Sequence, residues 1–289
     1  MPRPRLLTLL SAIILAPAAH SQAVRCQWAS LRSATDVFIE SQAAGASSDP
    51  IFSSLDLQYT QNGKPLTINS SESLLSTPFT VQHSHTLIDQ DTCASFTKLI
   101  LVHSENAEER LLLGAQIHFN MSTTDARLTR VHRLDVVYVG EGDWKMENFT
   151  AAAAHVEGED WGALSRGAQD TRETLEAVAE AYLDLLGGIV GDAAGAAVVP
   201  WGRPCARLEG SVYTAGEESC VEGLSLPLEG GAEGITERKY VMDASVGSVS
   251  VVARDGSLGG APTVLELRVL QGELRYVHQF TATEGVKAG

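Results

Sequence analysis

The sequence predicts an α+β protein built from two tandem cone-like halves, each a curved antiparallel sheet covered by a helix. Three observations predict it. Each half begins with apolar residues at helical spacing, each continues with four strand-like runs, and the last runs of the two halves can be aligned. Because the apolar stripe of each helix needs a partner, we expect it to cover its sheet and leave a pocket between them.

The helices are predicted from their apolar stripes. In the first half, the stripe of a short helix is formed by Trp28, Leu31, Thr35 and Phe38. In the second half, Asp170 or Thr171 caps a longer helix that ends at Gly187-Gly188. Its stripe consists of Leu175, Val178, Tyr182, Leu185 and Leu186.

Strand-like runs with turn residues between them follow each helix. In the second half, an irregular Gly/Pro-rich stretch and a loop around two cysteines come before the strands. The runs cover residues 79–88, 95–103, 111–119 and 128–138 in the first half, and residues 237–243, 247–253, 263–270 and 273–281 in the second.

The runs of the two halves match in order, which indicates a duplication. Residues 128–133 align with residues 274–279 at an offset of 146, which places His132 over His278. Residues 87–89 align with residues 241–243 at an offset of 154, which places Asp89 over Asp243.

The first residues predict entry into the secretory pathway. Arg3 and Arg5 precede a ten-residue apolar run and then small residues, the pattern of a cleaved signal peptide. Ten apolar residues are too few to cross a bilayer of roughly 30 Å. We therefore expect a signal peptide at residues 1–23, a first domain at 24–150, a linker at 151–164, and a second domain at 165–289.

The cysteines and sequons fit a secreted or lumenal glycoprotein. All four cysteines follow the predicted signal peptide, and no CxxC pair is present. One pair falls in each half, so we expect disulfides Cys26–Cys93 and Cys205–Cys220. Three glycosylation sequons begin at Asn69, Asn120 and Asn148.

Charge and motifs exclude several function classes. The chain has 21 basic and 36 acidic residues, a formal net charge of −15, which disfavours nucleic acid as a partner. It has no GxSxG elbow, P-loop or dinucleotide fingerprint, so we expect no cofactor. The pair His83 and His85, with Asp89 and Asp91 nearby, is a weak metal-binding pattern, and we expect no metal site.

A family resemblance is carried by residues 200–214, which read Pro-Trp-Gly-Arg-Pro-Cys-Ala-Arg-Leu-Glu-Gly-Ser-Val-Tyr-Thr. This segment, together with Cys220, residues 235–243 and residues 274–278, resembles secreted fungal proteins labelled only as a domain of unknown function. Residues 92–97 and 142–144 of the first half resemble them too.

The resemblance implies a tandem nuclear-transport-factor-like, ketosteroid-isomerase-like (SnoaL-like) fold. That superfamily contains isomerases, dehydratases, polyketide cyclases and non-catalytic binding modules, so the resemblance transfers no single activity. The Gly-rich stretches at residues 187–199 and 229–234 depart from the family pattern.

His278 is the leading candidate for proton transfer. Strand alternation places it on one face with Leu274, Tyr276 and Phe280, which we expect to be the pocket face. An imidazole enclosed in an apolar pocket can act as general acid or base near neutral pH. The alternative is a core histidine that is hydrogen-bonded to a neighbour.

Four further residues are candidates for the same pocket in the second half. Asp243 would be a base and Tyr240 an oxyanion donor, while the alternative for Asp243 is a turn before the next strand. Glu209 and Tyr213 would be an acid and a hydrogen-bond donor. Alternatively, Glu209 pairs with Arg207 or Arg238 and holds the cysteine loop.

Two functions remain. The first is a cofactor-free isomerase or cyclase that acts on an apolar small molecule in the secretory pathway, in fungal secondary metabolism. The second is a non-catalytic secreted module that binds a small ligand or contacts a partner protein. The sequence leaves the ligand and the oligomeric state open.

Overall fold

A computed structural model describes residues 25–46, 50–53, 56–121, 128–188, 198–216, 220, 224 and 234–283. The predicted signal peptide lies outside these residues. Among them, no helix is long and apolar enough to cross a membrane.

The described residues of the first half form one α-helix, two short 3-10 helices and a six-stranded sheet. Strand β1 pairs in parallel with β6, and the other neighbours pair antiparallel, in the order β2-β1-β6-β5-β4-β3. The elements are α1 (Trp28–Ala44), β1 (Gln58–Gln61), β2 (Lys64–Pro65), β3 (Phe79–Asp89), β4 (Ala94–His103), β5 (Arg110–Met121) and β6 (Leu128–Val139).

The second half repeats this arrangement after a helix in the connection. Its sheet has the order β8-β7-β12-β11-β10-β9, with β7 parallel to β12. The elements are α2 (Phe149–Gly158), α3 (Arg172–Leu186), β7 (Trp201–Glu209), β8 (Val212–Gly216), β9 (Ile235–Asp243), β10 (Ser248–Asp255), β11 (Ala261–Leu270) and β12 (Glu273–Thr281).

The duplication is confirmed at the level of topology. Each strand of the first sheet has a counterpart six strands later, and β6 and β12 occupy the same place. The predicted helix caps and strand runs agree with the structure to within a few residues, and Thr171 Oγ1 caps α3.

Two predictions about local structure were wrong. The sheets are mixed and not antiparallel, because β1 pairs in parallel with β6 and β7 pairs in parallel with β12. Strands β7 and β8 form where the sequence predicted an irregular stretch and a cysteine loop. Gly202 and Pro204 hide this strand from pattern analysis, since both residues are rare in strand interiors. The connection also contains α2, which Asn148 caps through a hydrogen bond from the Ala151 amide.

Each helix packs on its own sheet through the predicted stripe, with one exception: Trp28, which the sequence placed in the stripe of α1, is 47% exposed. Leu31 and Phe38 of α1 are fully buried, and Leu175 and Tyr182 of α3, at an offset of 144, are buried in the same way. A third apolar cluster lies between the two sheets and includes Phe96 and Phe280. The protein therefore has a core in each half and a core shared by both.

The hydrogen-bond register corrects one alignment. Strands β3 and β9 are related by the predicted offset of 154, since Asp89 pairs with Ala94 and Asp243 with Ser248. The last strands are instead related by 143, because both carry a bulge one residue wide, at His132 in β6 and at Arg275 in β12. His132 therefore corresponds to Arg275 and not to His278.

Both predicted disulfides form in the structure. Cys26–Cys93 joins the start of α1 to the turn between β3 and β4, with 5.4 Å between the Cα atoms. Cys205–Cys220 joins β7 to the residues beyond β8, with 5.7 Å between the Cα atoms. Each disulfide closes within one half.

Candidate functional site

The two halves meet through reciprocal contacts of two equivalent aspartates. Asp89 accepts a hydrogen bond from the Met242 amide at 3.1 Å, and Asp243 accepts one from the Ile88 amide at 2.8 Å. Because Ile88 and Met242 are themselves equivalent, the interface is self-complementary, like that of a twofold dimer. Both carboxylates are buried.

Both aspartates also form turns. Asp89 accepts hydrogen bonds from the amides of Asp91 and Thr92, and Asp243 accepts from the amide and hydroxyl of Ser245. Asp89 has one more partner, Arg172, whose Nη1 donates to both carboxylate oxygens at 2.8 Å. The turn that the sequence offered as an alternative for Asp243 is therefore present.

The face of β12 that carries His278 points to the other sheet, not to α3. The bulge at Arg275 breaks the alternation, so Leu274 and Val277 both pack in the core beneath α3. Tyr276 and His278 instead lie on the opposite face and contact Trp161 of the connection. The expected pocket face was wrong because the sequence pattern does not show the bulge.

His278 belongs to a group of charged and titratable side chains that we call the covered contact: His85, Lys98, Glu266 and His278. His85 is half-buried and the other three are buried. Lys98 Nζ donates to His278 Nδ1 at 2.7 Å and forms an ion pair with Glu266. His85 Nδ1 lies 2.7 Å from the other oxygen of Glu266. Lys98 and His278 are 1% exposed and Glu266 is 0% exposed.

Residues 159–165, which we call the strap, lie over the covered contact. Glu159 Oε2 lies 2.8 Å from His278 Nε2, and the Trp161 ring packs 4.9 Å from the His278 ring and 4.8 Å from Lys98 Nζ. The strap is held further along by Arg268, which donates to the Gly162 carbonyl at 2.9 Å. Trp161 is buried in this position.

The electrostatics fix the protonation of the covered contact near neutral pH. Burial, and then the Lys98 charge, lower the pKa of His278, so its imidazole is neutral. Because Lys98 donates to Nδ1, the ring proton is on Nε2 and is donated to Glu159. Burial opposes ionisation of Glu266, but Lys98 and His85 hold its pKa well below the usual range.

The equivalent positions on the other side of the interface form the open contact: Gln116, Asp135, Lys239 and Val252. Lys239 Nζ lies 2.8 Å from Asp135 Oδ1, and Gln116 donates to the Lys239 carbonyl at 2.9 Å. By the strand register, Asp135 corresponds to His278, Gln116 to Glu266, Lys239 to His85 and Val252 to Lys98. A cleft of about 110 Å³ opens at this contact.

The other predicted site residues lie at separate places. Tyr240 donates to Glu180 on α3, and burial with that carboxylate raises the pKa of its hydroxyl. Tyr213 stacks on His155 of α2 at 3.7 Å, and burial together with Glu159 raises the pKa of Tyr213 to about 12. Tyr213 and His278 are thus brought together through Glu159, while Tyr240 and Asp243 are not part of this group.

Glu209 forms an ion pair with Arg207, as expected if it holds the cysteine loop instead of acting as a catalytic acid. Its carboxylate lies 3.1 Å from Arg207 and 2.9 Å from Lys145, and Arg207 donates to the Cys220 carbonyl at 2.6 Å. The next residue, Gly210, has a φ of +58°. It lies so close to Lys145 that a Cβ at position 210 would be 2.6 Å from the carbonyl carbon of Lys145. The same Cβ would lie 2.7 Å from the Trp144 carbonyl oxygen, so residues 200–214 and 142–144, both quoted for the family resemblance, contact each other across the halves.

Each half also carries an open groove beside its helix. The grooves have volumes of about 470 Å³ and 480 Å³. Five helix positions at an offset of 144 line both: Ala29, Ser30, Ser33, Ala34 and Val37 in α1, and Glu173, Thr174, Ala177, Val178 and Ala181 in α3. Ile51 and Leu128 complete groove 1, and Val198 and Pro200 complete groove 2.

Sequence reasoning missed Lys98, Glu159 and Glu266. A signal existed for two of them, since Lys98 interrupts an apolar strand run and Glu266 stands between Leu265 and Leu267. A charge at such a place must find a buried partner. Within the part of the chain that the structure describes, no three histidine, cysteine or acidic side chains are arranged to hold a metal ion.

These observations define a tandem α+β protein whose two halves pack face to face around buried polar contacts. Residues 168–281 match the family model described as a domain of unknown function, DUF8021. The match contains α3 and the whole second sheet, so the second half is similar to that family. The resemblance of residues 92–97 and 142–144 lies outside the match and stays a prediction. A comparison with curated proteins gave no match.

Proposed function

We propose that this chain is a secreted, non-catalytic module that binds small apolar molecules in the grooves beside α1 and α3. The observation that carries the proposal is the repetition of one groove at equivalent helix positions in both halves. Volumes near 470 Å³ fall within the range of small-molecule sites. The lining consists of small apolar side chains and a few hydroxyls, with the Glu173 carboxylate as the one charged group in groove 2.

The proposal of secretion and of a cone fold has separate support. Two disulfides and exposed asparagines at all three sequons suit the secretory pathway. The six-stranded sheet with one parallel pair and a helix across one face supports a nuclear-transport-factor-like, ketosteroid-isomerase-like cone in each half.

A titration with the uncharged fluorescent dye Nile red tests the binding proposal. We expect Val37→Trp to fill groove 1 and Ala181→Trp to fill groove 2, each removing one binding event, with the double variant removing both. Glu176→Trp is the matched control, since Glu176 is exposed on α3 and lines neither groove. Undiminished dye binding by the folded double variant would overturn the proposal.

The isomerase or cyclase remains a second candidate because of one observation. His278 and Tyr213, which are joined through Glu159, both have shifted pKa values, a feature that is enriched at catalytic sites. His278 would transfer a proton between two carbons beside a carbonyl, and Tyr213 would hydrogen-bond the oxygen. The covering strap argues for the binding module as the first choice.

The enzyme candidate is tested with a β,γ-unsaturated cyclic ketone as substrate. Isomerisation gives a conjugated enone that absorbs in the near ultraviolet. Turnover by the wild-type protein that falls at least about 100-fold in His278→Gln, with the fold retained, would support catalysis. Equal turnover by the two proteins would remove His278 from the mechanism.

A further inference from the structure

We propose that a cavity between the two halves binds a small primary ammonium ion, with Asp243 as its counter-ion. The cavity has a volume of about 180 Å³ and is separate from the grooves beside α1 and α3. Its lining, the ion pairs around it and the equivalence of the two halves together point to this class of ligand.

The cavity lies between equivalent stretches of the two halves. Residues 88–91 line one side and residues 242–245 line the other, and the two stretches are related by the offset of 154. The rest of the lining is unequal. Three side chains come from α3 and the residues before it, while the described start of the first half contributes Arg25. Equivalent groups therefore have different surroundings in this cavity.

The two equivalent aspartates differ in their counter-ions. Asp89 is 1% exposed, and the guanidinium of Arg172 lies 2.8 Å from it. Asp243 is 5% exposed, and among the described residues its partners are neutral amides and a hydroxyl. At the helix offset of 144, Trp28 takes the place of Arg172. Arg268 lies within electrostatic range of Asp243 but is bonded to the strap and does not line the cavity.

The charges in the lining leave one negative charge without a cation. Each of the two arginines is paired with one of the three aspartates: Arg172 with Asp89, and Arg25 with Asp91 at 2.8 Å. The third aspartate, Asp243, has no such partner, and a buried carboxylate without a cation is costly. One positive charge in the cavity would balance it, whereas an anion would be repelled by the unpaired carboxylate.

The remaining lining suits an ammonium group on a short apolar chain. Gln90 and Gln169 each donate through Nε2 to a backbone carbonyl, so their side-chain oxygens are acceptors for further donors. A primary ammonium has three donors. The buried side chains of Ile88, Leu175 and Met242 form an apolar wall. Since a cavity of roughly 150 Å³ can hold benzene, an alkylammonium with four or five carbon atoms fits this volume.

A titration with n-butylammonium chloride, followed through the amide NMR signals of Ile88 and Ser245, tests the site. Both amides donate to Asp243, so they report on this cavity and not on the grooves. We expect saturable shifts of both signals at about 0.15 M salt, which screens weak attraction to the acidic surface. n-Butanol, the neutral analogue of the same size, should cause no saturable shift of these signals.

The Asp243→Asn variant should weaken n-butylammonium binding by at least about tenfold, because the amide still accepts a hydrogen bond from the Ile88 amide but carries no charge. Asp255→Asn is the matched control and should bind as the wild-type protein does. Asp255 is also 5% exposed and accepts from the amide and hydroxyl of Ser257 in the same way, yet it does not line the cavity.

The Gln169→Lys variant keeps the test decisive if Asp243→Asn does not fold. The lysine brings an ammonium group of the chain itself to the cavity, so n-butylammonium should be displaced while Asp243 stays in place. The site would be overturned if the wild-type signals show no saturable shift, or if n-butanol shifts them equally. Undiminished binding by folded Asp243→Asn or, where that variant is unfolded, by Gln169→Lys would overturn it as well.

Discussion

The covered contact and the open contact stand at equivalent places in the interface, yet only one is shut off from solvent. A duplicated chain makes the two contacts from equivalent strands, but it has a single connection between its halves. That connection can cover one side only, and it covers His278 and Lys98 while Asp135 and Lys239 border a cleft. The connection between the halves therefore breaks the internal symmetry of the interface.

The two contacts differ in how their charged side chains are compensated, because one contact is buried and the other borders solvent. In the covered contact, Lys98 and Glu266 must compensate each other because water does not. In the open contact, the side chain of Lys239 is 31% exposed, and Asp135 has Arg133 and Thr60 as further partners. The contrast predicts very different costs for the loss of equivalent interface charges.

Removal of the covered lysine should have the largest effect. Lys98→Met leaves Glu266 fully buried with His85 as its remaining partner, and we expect a loss of about 3–5 kcal/mol in the free energy of unfolding. Urea denaturation at pH 7.5 with intact disulfides measures it. A loss below about 1 kcal/mol would mean that the ion pair is not sealed from water.

The reciprocal aspartates should have intermediate and unequal effects. Asp89→Ala removes the partners of the Met242 amide and of Arg172, and should cost about 2–4 kcal/mol. Asp243→Ala removes the partner of the Ile88 amide and should cost about 1–3 kcal/mol. Urea denaturation of both variants provides the comparison. Equal losses would show that Arg172 adds nothing to the first contact.

A histidine near the open contact should contribute to acid sensitivity. Burial, and then Arg133, lower the pKa of His118 to about 4, so the folded state keeps this ring neutral. Its contribution to stability is present above pH 6.5 and is lost as pH falls toward 4, by at most about 1.4 kcal/mol per unit before screening. His118→Gln should therefore flatten the decline of unfolding free energy between pH 6.5 and pH 5. An unchanged slope would contradict the assignment.

The smallest effect is expected at Lys239, the partly exposed lysine of the open contact. Lys239→Met leaves Asp135 bonded to Arg133 and Thr60, so the unfolding free energy should change by about 0–1 kcal/mol. The variant is also the matched control for Lys98→Met, because the same substitution is made on equivalent sides of the interface. A cost comparable to that of Lys98→Met would remove the distinction between the two contacts.

The sequence predicts the elements of this fold better than their faces. Alternating apolar residues predict most strands, and the stripe from Leu175 to Leu186 predicts α3. A parallel pair such as β7 and β12 depends on residues far apart in the chain, and Gly202 and Pro204 weaken the local signal. The bulge at Arg275 reverses the side of β12 that meets α3, and this decided the wrong placement of His278.

The candidate site was harder to predict because it is shared by both halves. The ion pair of Glu209 with Arg207 could be predicted because the two residues lie two positions apart on one strand. The turn at Asp243 could be predicted because its hydrogen bonds are local. The partners of His278 lie 180 residues away at Lys98 and 119 residues away at Glu159. The packing of one sheet on the other brings Lys98 to His278, and the strap brings Glu159 to it.

The placement of the two disulfides makes the protein equivalent to a pair of complementing fragments. Cys26–Cys93 and Cys205–Cys220 each close within one half, so the connection alone joins the halves covalently. Tryptic cleavage at the exposed Arg166 would give two polypeptides that separate on a non-reducing denaturing gel. In native buffer they would elute together, because the core around Phe96 and Phe280 and the reciprocal aspartates hold them as a heterodimer.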